Sequence, residues 1–446
     1  MNSKIAIVGA GITGLTAAHR VKKSGKKVHL FDRKPEPGGV IGTEDSAGWR
    51  YELGPNTLLL KDPEVEKLIN DLNLTDRIVT ANQQASKRFI VKEGQLHELP
   101  TSFSGFLSTA LFSGRAKRRL LREPFAGKVQ PGATVAQFFH QRFGAEILNY
   151  AVNPFIAGIY AGSPDQLSLK HTFPALHRMQ QESGSVLLGG IRKMIKGRDS
   201  NKPKRRLISF QTGLQELPKA LISDLDDTRL NQEIKKTEHR SDGWFLQTES
   251  AEYGPYSDVV ITVPLHKWNR ELLPFQHHEI QTIKSVTYPP LSVLVLGYKK
   301  EDIEHPLDGF GFLVPEKEGR SVLGALFTST LFKNRAPAGY HLLTVFIGGS
   351  RQPELAGKTS AELLDLTKKD LADLIGLKDA PNFNKHIYWP RSIPQYHTGY
   401  DDVLAVFDSL EKNNPGLHLA GNFRGGVSVP DCIKNGLILG EKLAAG

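Results

Sequence analysis

Three glycines, Gly9, Gly11 and Gly14, punctuate the loop "GAGITG" between an apolar run, "KIAIV", and a helix-patterned stretch, "GLTAAHRVKKSG". The first glycine permits a tight turn, the second lets a pyrophosphate approach the backbone, and the third lets helix and strand pack closely. Ala10, Ile12 and Thr13 complete the loop, and the helix that follows turns its partially positive N-terminus toward the phosphates. A second apolar run, "KKVHLFDR", brings Asp32 about 20 residues further on, where a carboxylate binds ribose hydroxyls. Strand, glycine loop, helix, strand and acid in that order predict a dinucleotide site.

Two other stretches share this character. "PEPGGVIGTEDSAGWRYELGPNT" (35–57) supplies Gly38 and Gly39, then Glu52, Gly54, Pro55 and Asn56. It reads either as a second approach of backbone to a pyrophosphate or isoalloxazine, or as a plain series of turns. At the far end of the chain, "GLHLAGNFRGGVSVPDCIKNG" (416–436) is again small, glycine-studded and almost uncharged, and runs into a helix.

The elements that must position these loops follow from periodicity. "KIAIVGA" (4–10) and "KKVHLFDR" (26–33) flank a helix closed by Gly25, a βαβ start. Asp62 and Pro63 open a helix over 62–78, and "KRFIVKEGQLHELP" (87–100) forms a hairpin through Glu93-Gly94. Phe103, Phe106, Leu107, Ala110 and Leu111 mark one face of a helix, and 134–160 continues a mostly helical insertion. Strands return at 204–213 and 244–264, four more (290–299, 309–315, 321–329, 340–349) make one antiparallel sheet, and 360–377 is an amphipathic helix.

Composition sets the bounds. The chain has 446 residues, 39% hydrophobic and 23% charged, with a net charge of +10 and one cysteine, Cys432. No run reaches the roughly 18 apolar residues of a membrane span, and no signal or transit peptide is expected ahead of the first strand. A single thiol fits a reducing compartment, so the cytoplasm is the expected location. Much of the positive excess lies in "GRAKRRLLR" (114–122) and "IRKMIKGRDSNKPKRRL" (191–207), read as solvated loops or as a face for an anionic partner. Zinc-finger spacing and RNA-binding consensus are absent from the sequence, so nucleic acid is not an expected partner.

The glycine loops together resemble the flavoprotein group of amine oxidases, phytoene desaturases and protoporphyrinogen oxidases, in which FAD is closed by a C-terminal loop reading "AGN…GG". "NPFIAGIYAGSPDQLSL" (153–169), "SFQTGLQELPKAL" (209–221), "PPLSVLVLGYKKEDI" (289–303), "PLDGFGFLVPEKE" (306–318), "LFTSTLFKNRAP" (326–337) and "FIGGSR" (346–351) resemble the protoporphyrinogen oxidase family in particular, over nearly the whole chain. The resemblance implies a mixed α/β fold. A Rossmann-like FAD-binding domain would be assembled from 1–86, 204–245 and 385–446, with an antiparallel-sheet substrate domain at 246–384 and a helical, membrane-binding insertion at 87–203. It implies oxidation of protoporphyrinogen IX, or of coproporphyrinogen III, two electrons at a time, with reduced FAD returning electrons to O2 and releasing H2O2. A homodimer and peripheral attachment to the inner face of the cell membrane are compatible with it.

Site residues carried over by that resemblance are as follows. Arg88 would pair with a propionate; Leu291, Leu307 and Phe327 would sandwich the macrocycle; the Gly158 carbonyl would face the pyrrole nitrogens. Read without it, Arg88 is a surface arginine and the three apolar residues are core. Toward FAD the resemblance implies the Gly9–Gly14 loop, Asp32, Arg33, Gly39, Val40, Gly54, Pro55, Asn56, Thr57, Ile234, Trp389, Gly421, Val427, Ser428 and Val429. The family usually has glutamate at Asp32 and arginine at Val40. His171, His177, His397 and His418 read as structural. Residues 103–122 set an apolar face beside Arg115, Lys117, Arg118, Arg119 and Arg122, suited to a membrane interface or to lining a substrate tunnel. Rival readings are another flavin oxidase or desaturase, weakened because "AGNFRGG" offers only Phe423 toward an aromatic cage, and a porphyrin carrier.

Overall fold

The structure, a computed structural model, describes residues 4–195 and 205–445. Its first layer is a parallel sheet ordered Asp227–Arg229, Lys27–Phe31, Lys4–Val8, Asp258–Ile261 and Leu417–Leu419. The edge strand Asp227–Arg229 is polar, whereas the inner strands Lys4–Val8 and Asp258–Ile261 read as near-continuous apolar runs because both faces are covered. The pleat splits them: Ile5 and Ile7 enter one core with Leu15, Ile433 and Leu437, while Ala6 and Val8 enter another with Trp244, Leu246 and Phe407. The helices Ile12–Lys23 and Val429–Ala445 cover the first face. They approach closely because Gly436 and Gly440 lack side chains: a Cβ at Gly436 would lie 2.5 Å from the Thr13 carbonyl, and one at Gly440 2.6 Å from Arg20 Cβ. That contact carries the start of the chain and residues 421–429 to one place.

The second layer is a seven-stranded sheet ordered Phe383–Trp389, Leu291–Lys299, Tyr340–Gly348, Val322–Leu326, Gly309–Leu313, Lys87–Lys92 and Gln95–Glu98. All four strands expected between 290 and 349 belong to it, and they pair antiparallel. Gly309–Leu313 and Lys87–Lys92 run parallel, so the whole sheet is mixed. The capped helix Ser360–Ile375 packs on one face through Leu363, Leu371 and Leu374.

The sheets divide the chain differently from the expected boundaries. The hairpin 87–98 belongs to the seven-stranded sheet, not to the helical insertion. Strand 258–261 lies between Lys4–Val8 and Leu417–Leu419, so the nucleotide-binding part continues past 245. Strand 383–389 stays with the second sheet and moves the last boundary beyond 384. The helix expected from 62 ends at Asp71, and Asp62 does cap it. Near 103 the expected single helix is two short ones, Phe103–Ser108 and Gly114–Leu121, with Ser113 capping the second. The insertion is pinned by Glu123 and Arg142, both fully buried and paired at 3.0 Å, with Val186 and Leu187 amides also donating to Glu123. Of the basic stretch 191–207, residues 196–204 lie outside the described residues.

Candidate active site

The three glycines of the first loop meet three different demands. Gly9 has φ +115°, a backbone setting that L side chains rarely adopt, and at Gly14 a Cβ would strike the Gly9 carbonyl. At Gly11 a Cβ would meet nothing within 4 Å, which leaves open space before the amides of a helix N-terminus. The Gly38 amide bonds to the Ala10 carbonyl at 2.8 Å, so the second glycine pair lies against the first loop. Gly39 is close enough that a Cβ there would be 3.2 Å from Gly11 Cα. Gly54 backs onto Val40, whose side chain stays exposed.

Asp32 keys into this cradle. Its two carboxylate oxygens accept the Ala10 amide at 2.6 Å and the Lys34 amide at 2.8 Å. Arg33 is exposed beside it. Lys34 was not singled out from sequence, yet its Nζ donates to the Gly39 carbonyl at 2.9 Å. It places a cation on the second loop, next to the position where Val40 supplies none. Ile234 is buried against Phe31, and Lys235 beyond it bonds to Gln247; no protein partner for the Ile234 amide occurs among the described residues. Asn56 donates to the Gly54 carbonyl at 3.1 Å, while its Oδ1 is buried without a partner. Pro55 and Thr57 complete that turn. The open ground before Gly11, the free Ile234 amide and the orphaned Asn56 oxygen fit an extended dinucleotide such as FAD.

The far loop closes from the opposite side. Gly421, Gly425 and Gly426 have φ of +156°, +81° and +127°, and Val427 packs against Ile156 and Tyr160 of the insertion. Ser428 receives the Asp431 amide at 3.3 Å and starts the helix Val429–Ala445. Two unanticipated tyrosines hold the loop: Tyr396 and Tyr400 donate to the carbonyls of Asn422 and Phe423, each at 2.6 Å.

Beyond this lies the face of the second sheet that is turned away from helix 360–375. Residues paired across neighbouring strands share a face. Leu291 pairs with Trp389, Val293 with Phe346, Leu326 with Thr344, and Leu313 with Gly324 and Ile90. Leu291, Leu313, Leu326 and Phe346 are only half-buried there. Trp389 ends this face at the cofactor loop, its indole donating to the Leu53 carbonyl at 3.0 Å. Arg88, two residues before Ile90, stands exposed at the other end, its guanidinium 5.2 Å from the Phe310 ring. Five inter-strand steps of about 4.8 Å, roughly 24 Å, separate the two, with Val293, Thr344 and Ile90 buried between them.

The helix Asn153–Tyr160 lies over this face. Gly158 rides so near that a Cβ would be 2.7 Å from Leu313 Cδ2, and Phe155 and Ile159 beside it are exposed. Its carbonyl falls in the last helical turn, and no donor to it occurs among the described residues. Arg351 and Glu316 grip the start of this helix through Asn153, at 2.8 and 3.0 Å.

Leu307 and Phe327 stand elsewhere. Both are 0% exposed, packed with Phe312 and Leu343 in the core beneath helix 360–375. A strand's period of two puts Leu326, not Phe327, on the face that carries Leu291 and Phe346. Of the histidines, His418 bonds to Asp258 at 2.9 Å and His171 to Asp401 at 3.2 Å, consistent with structural roles.

Residues 12–438 match the family described as flavin containing amine oxidoreductase. Protoporphyrinogen oxidase 2, chloroplastic/mitochondrial, of Arabidopsis thaliana is 35% identical over 97% of this chain and 92% of its own. Coproporphyrinogen III oxidase of Bacillus subtilis (strain 168) is 26% identical, covering 97% and 96%. A crystal structure from Exiguobacterium sp. 255-15, assigned as a protoporphyrinogen oxidase, superposes with a TM-score of 0.84 over 100% and 99% of the two chains at 23% identity, which shows the shared fold. With its cradle for FAD and this match over nearly its whole length, the chain is an oxidoreductase of the flavin-containing amine oxidoreductase family, on its protoporphyrinogen oxidase branch.

Proposed function

We propose that the protein oxidises protoporphyrinogen IX to protoporphyrin IX, a late step of haem biosynthesis, with O2 as acceptor and H2O2 as product. The observation that carries this reading is the apolar face running from Trp389 at the cofactor loop to Arg88. It offers a flat greasy wall with a cation at its far end, the complement of a macrocycle that bears propionates on one edge. Bound FAD supplies the acceptor for hydride, and the chain's residues do the rest. Leu291, Leu313, Leu326 and Phe346 exclude water and hold the ring. Phe155 and Ile159 cover it, and the Gly158 carbonyl receives a pyrrole N–H. Arg88 takes a propionate, a fork-shaped donor for a planar carboxylate.

The deciding assay supplies each porphyrinogen, protoporphyrinogen IX and coproporphyrinogen III, to the yellow protein in air and follows porphyrin fluorescence and peroxide. Turnover of the second alone reassigns the substrate; turnover of neither, with an intact flavin, rejects the proposal. Arg88→Ala is expected to raise KM by about tenfold and to leave kcat within about twofold, because the lost ion pair is present in ground and transition states alike. A large fall in kcat at constant KM would place Arg88 in another role.

We also infer peripheral membrane attachment. Phe103, Leu107, Leu121 and Phe125 are exposed, Phe125 to 89%, beside exposed Arg115, Arg118, Arg119 and Arg122. Such a pairing of apolar and basic groups seats at an anionic lipid interface. Among the described residues no helix is long and apolar enough to cross a membrane. Phe125→Glu is expected to lower cosedimentation with anionic vesicles several-fold at low salt; wild-type protein that stays in the supernatant there would dismiss the inference.

A further inference from the structure

The segment Gln395–Tyr400 joins the two walls of the site. Its main chain and its glutamine bind the helical insertion: the Ser168 amide donates to the Tyr396 carbonyl at 2.8 Å, the Thr398 amide to the Gln166 carbonyl at 3.1 Å, and Gln395 Nε2 to the Tyr160 carbonyl at 2.8 Å. Tyr160 closes the helix that carries Gly158. The tyrosines of the segment reach the other way. Tyr396 Oη donates to the Asn422 carbonyl at 2.6 Å and accepts the Gly426 amide at 3.3 Å, while Tyr400 Oη donates to the Phe423 carbonyl.

One buried hydroxyl therefore clips both ends of the loop 422–426. Extended back to Gly421, that loop has little stiffness of its own, since Gly421, Gly425 and Gly426 sit at positive φ and its internal backbone bonding is a single turn, Arg424 to Gly421 at 3.1 Å. The clip is rigid. Both rings are nearly fully buried, their centroids 4.5 Å apart, and burial holds both hydroxyls far above the usual phenol range, so they remain donors throughout the working pH range.

We propose that Tyr396, seconded by Tyr400, is a positioning residue that sets the gap between the Gly421–Gly426 loop and the helix bearing Gly158, and thereby fixes the surroundings of the flavin ring. The inference rests on the FAD site and not on the identity of the substrate. Tyr396→Phe keeps the ring packing and removes the clip, leaving a half-buried carbonyl and a half-buried amide unpaired. Apoprotein of this variant, titrated into FAD while flavin fluorescence is followed, is expected to bind roughly tenfold more weakly. The holo form is expected to show a less structured flavin absorption band and a shifted midpoint potential. Tyr400→Phe, which frees one carbonyl only, is expected to do the same more weakly, and the double variant less than additively. A fall in melting temperature with native affinity, spectrum and potential would reduce Tyr396 to a structural role and overturn the proposal. Should Tyr396→Phe not fold, unchanged flavin properties in Tyr400→Phe would overturn it equally.

Discussion

Gly11→Val is expected to give folded but colourless protein. Gly11 has φ −71° and ψ 169°, which any residue adopts, and a Cβ there touches no protein atom within 4 Å. The new side chain fills only the space before the loop amides. Each backbone bond to an anion that it blocks is worth about 1.5–3 kcal/mol, so losing one or two weakens FAD binding by on the order of 100-fold. Wild-type apoprotein should gain thermal stability on adding FAD, as any ligand selective for the native state requires. The variant should match wild-type apoprotein in far-UV dichroism and show no such gain. Gly14→Val supplies the contrast, because its Cβ meets the Gly9 carbonyl and the fold itself must suffer. A yellow Gly11→Val protein with native affinity would show that the phosphates bind elsewhere.

Arg335→Leu is expected to be the most destabilising change near the site. Arg335 and Glu52 pair at 2.8 Å with side chains 2% and 1% exposed, and Arg335 also donates to Ser209 at 2.7 Å. Glu52 further accepts from Thr43 at 2.6 Å and from the Leu214 amide at 3.1 Å. Removing the guanidinium strands a buried carboxylate, at a cost of about 3–5 kcal/mol. Burial already holds the Glu52 carboxyl above the usual carboxylate range, and losing Arg335 raises it further. A carboxyl whose folded pKa exceeds its unfolded one destabilises above that folded value and does so less as pH falls. The deficit of Arg335→Leu should therefore shrink from pH 7 toward pH 5, read as the apparent melting temperature of variant minus wild type. Arg335→Leu/Glu52→Gln should recover most of it, since the amide oxygen can still accept from Leu214 while its nitrogen donates to the Thr43 hydroxyl. A deficit that grows on acidification would contradict this account.

Local signals made the nucleotide cradle legible. Gly9, Gly14 and Asp32 announce themselves because a positive φ, a close helix–strand contact and a carboxylate at a strand end each restrict residue type. The seven-stranded sheet was legible as strands but not as faces. Alternation in "LGALFTST" assigns neighbours to opposite sides without saying which side is open, so Phe327 was expected at the wall that Leu326 occupies. Domain boundaries failed for a related reason. "DVVI" looks like any apolar strand, and only long-range pairing with "KIAIV" reveals its sheet. Lys34, Tyr396 and Tyr400 were passed over because their work is done through backbone carbonyls, which leave no trace in residue patterns.

The order of strands in the parallel sheet bears on how the protein is made. Lys4–Val8 is translated first, but its neighbour Asp258–Ile261 comes much later, and Leu417–Leu419 with the helix that packs on Ile12–Lys23 later still. At about 5–20 residues per second, the emerging N-terminal strand waits on the order of tens of seconds for its last companions. Throughout that interval its apolar edges are a hazard of self-association. Flavin capture must accordingly be one of the last events after the ribosome has passed residue 429, and chains stalled before that point are natural clients of chaperones and proteases.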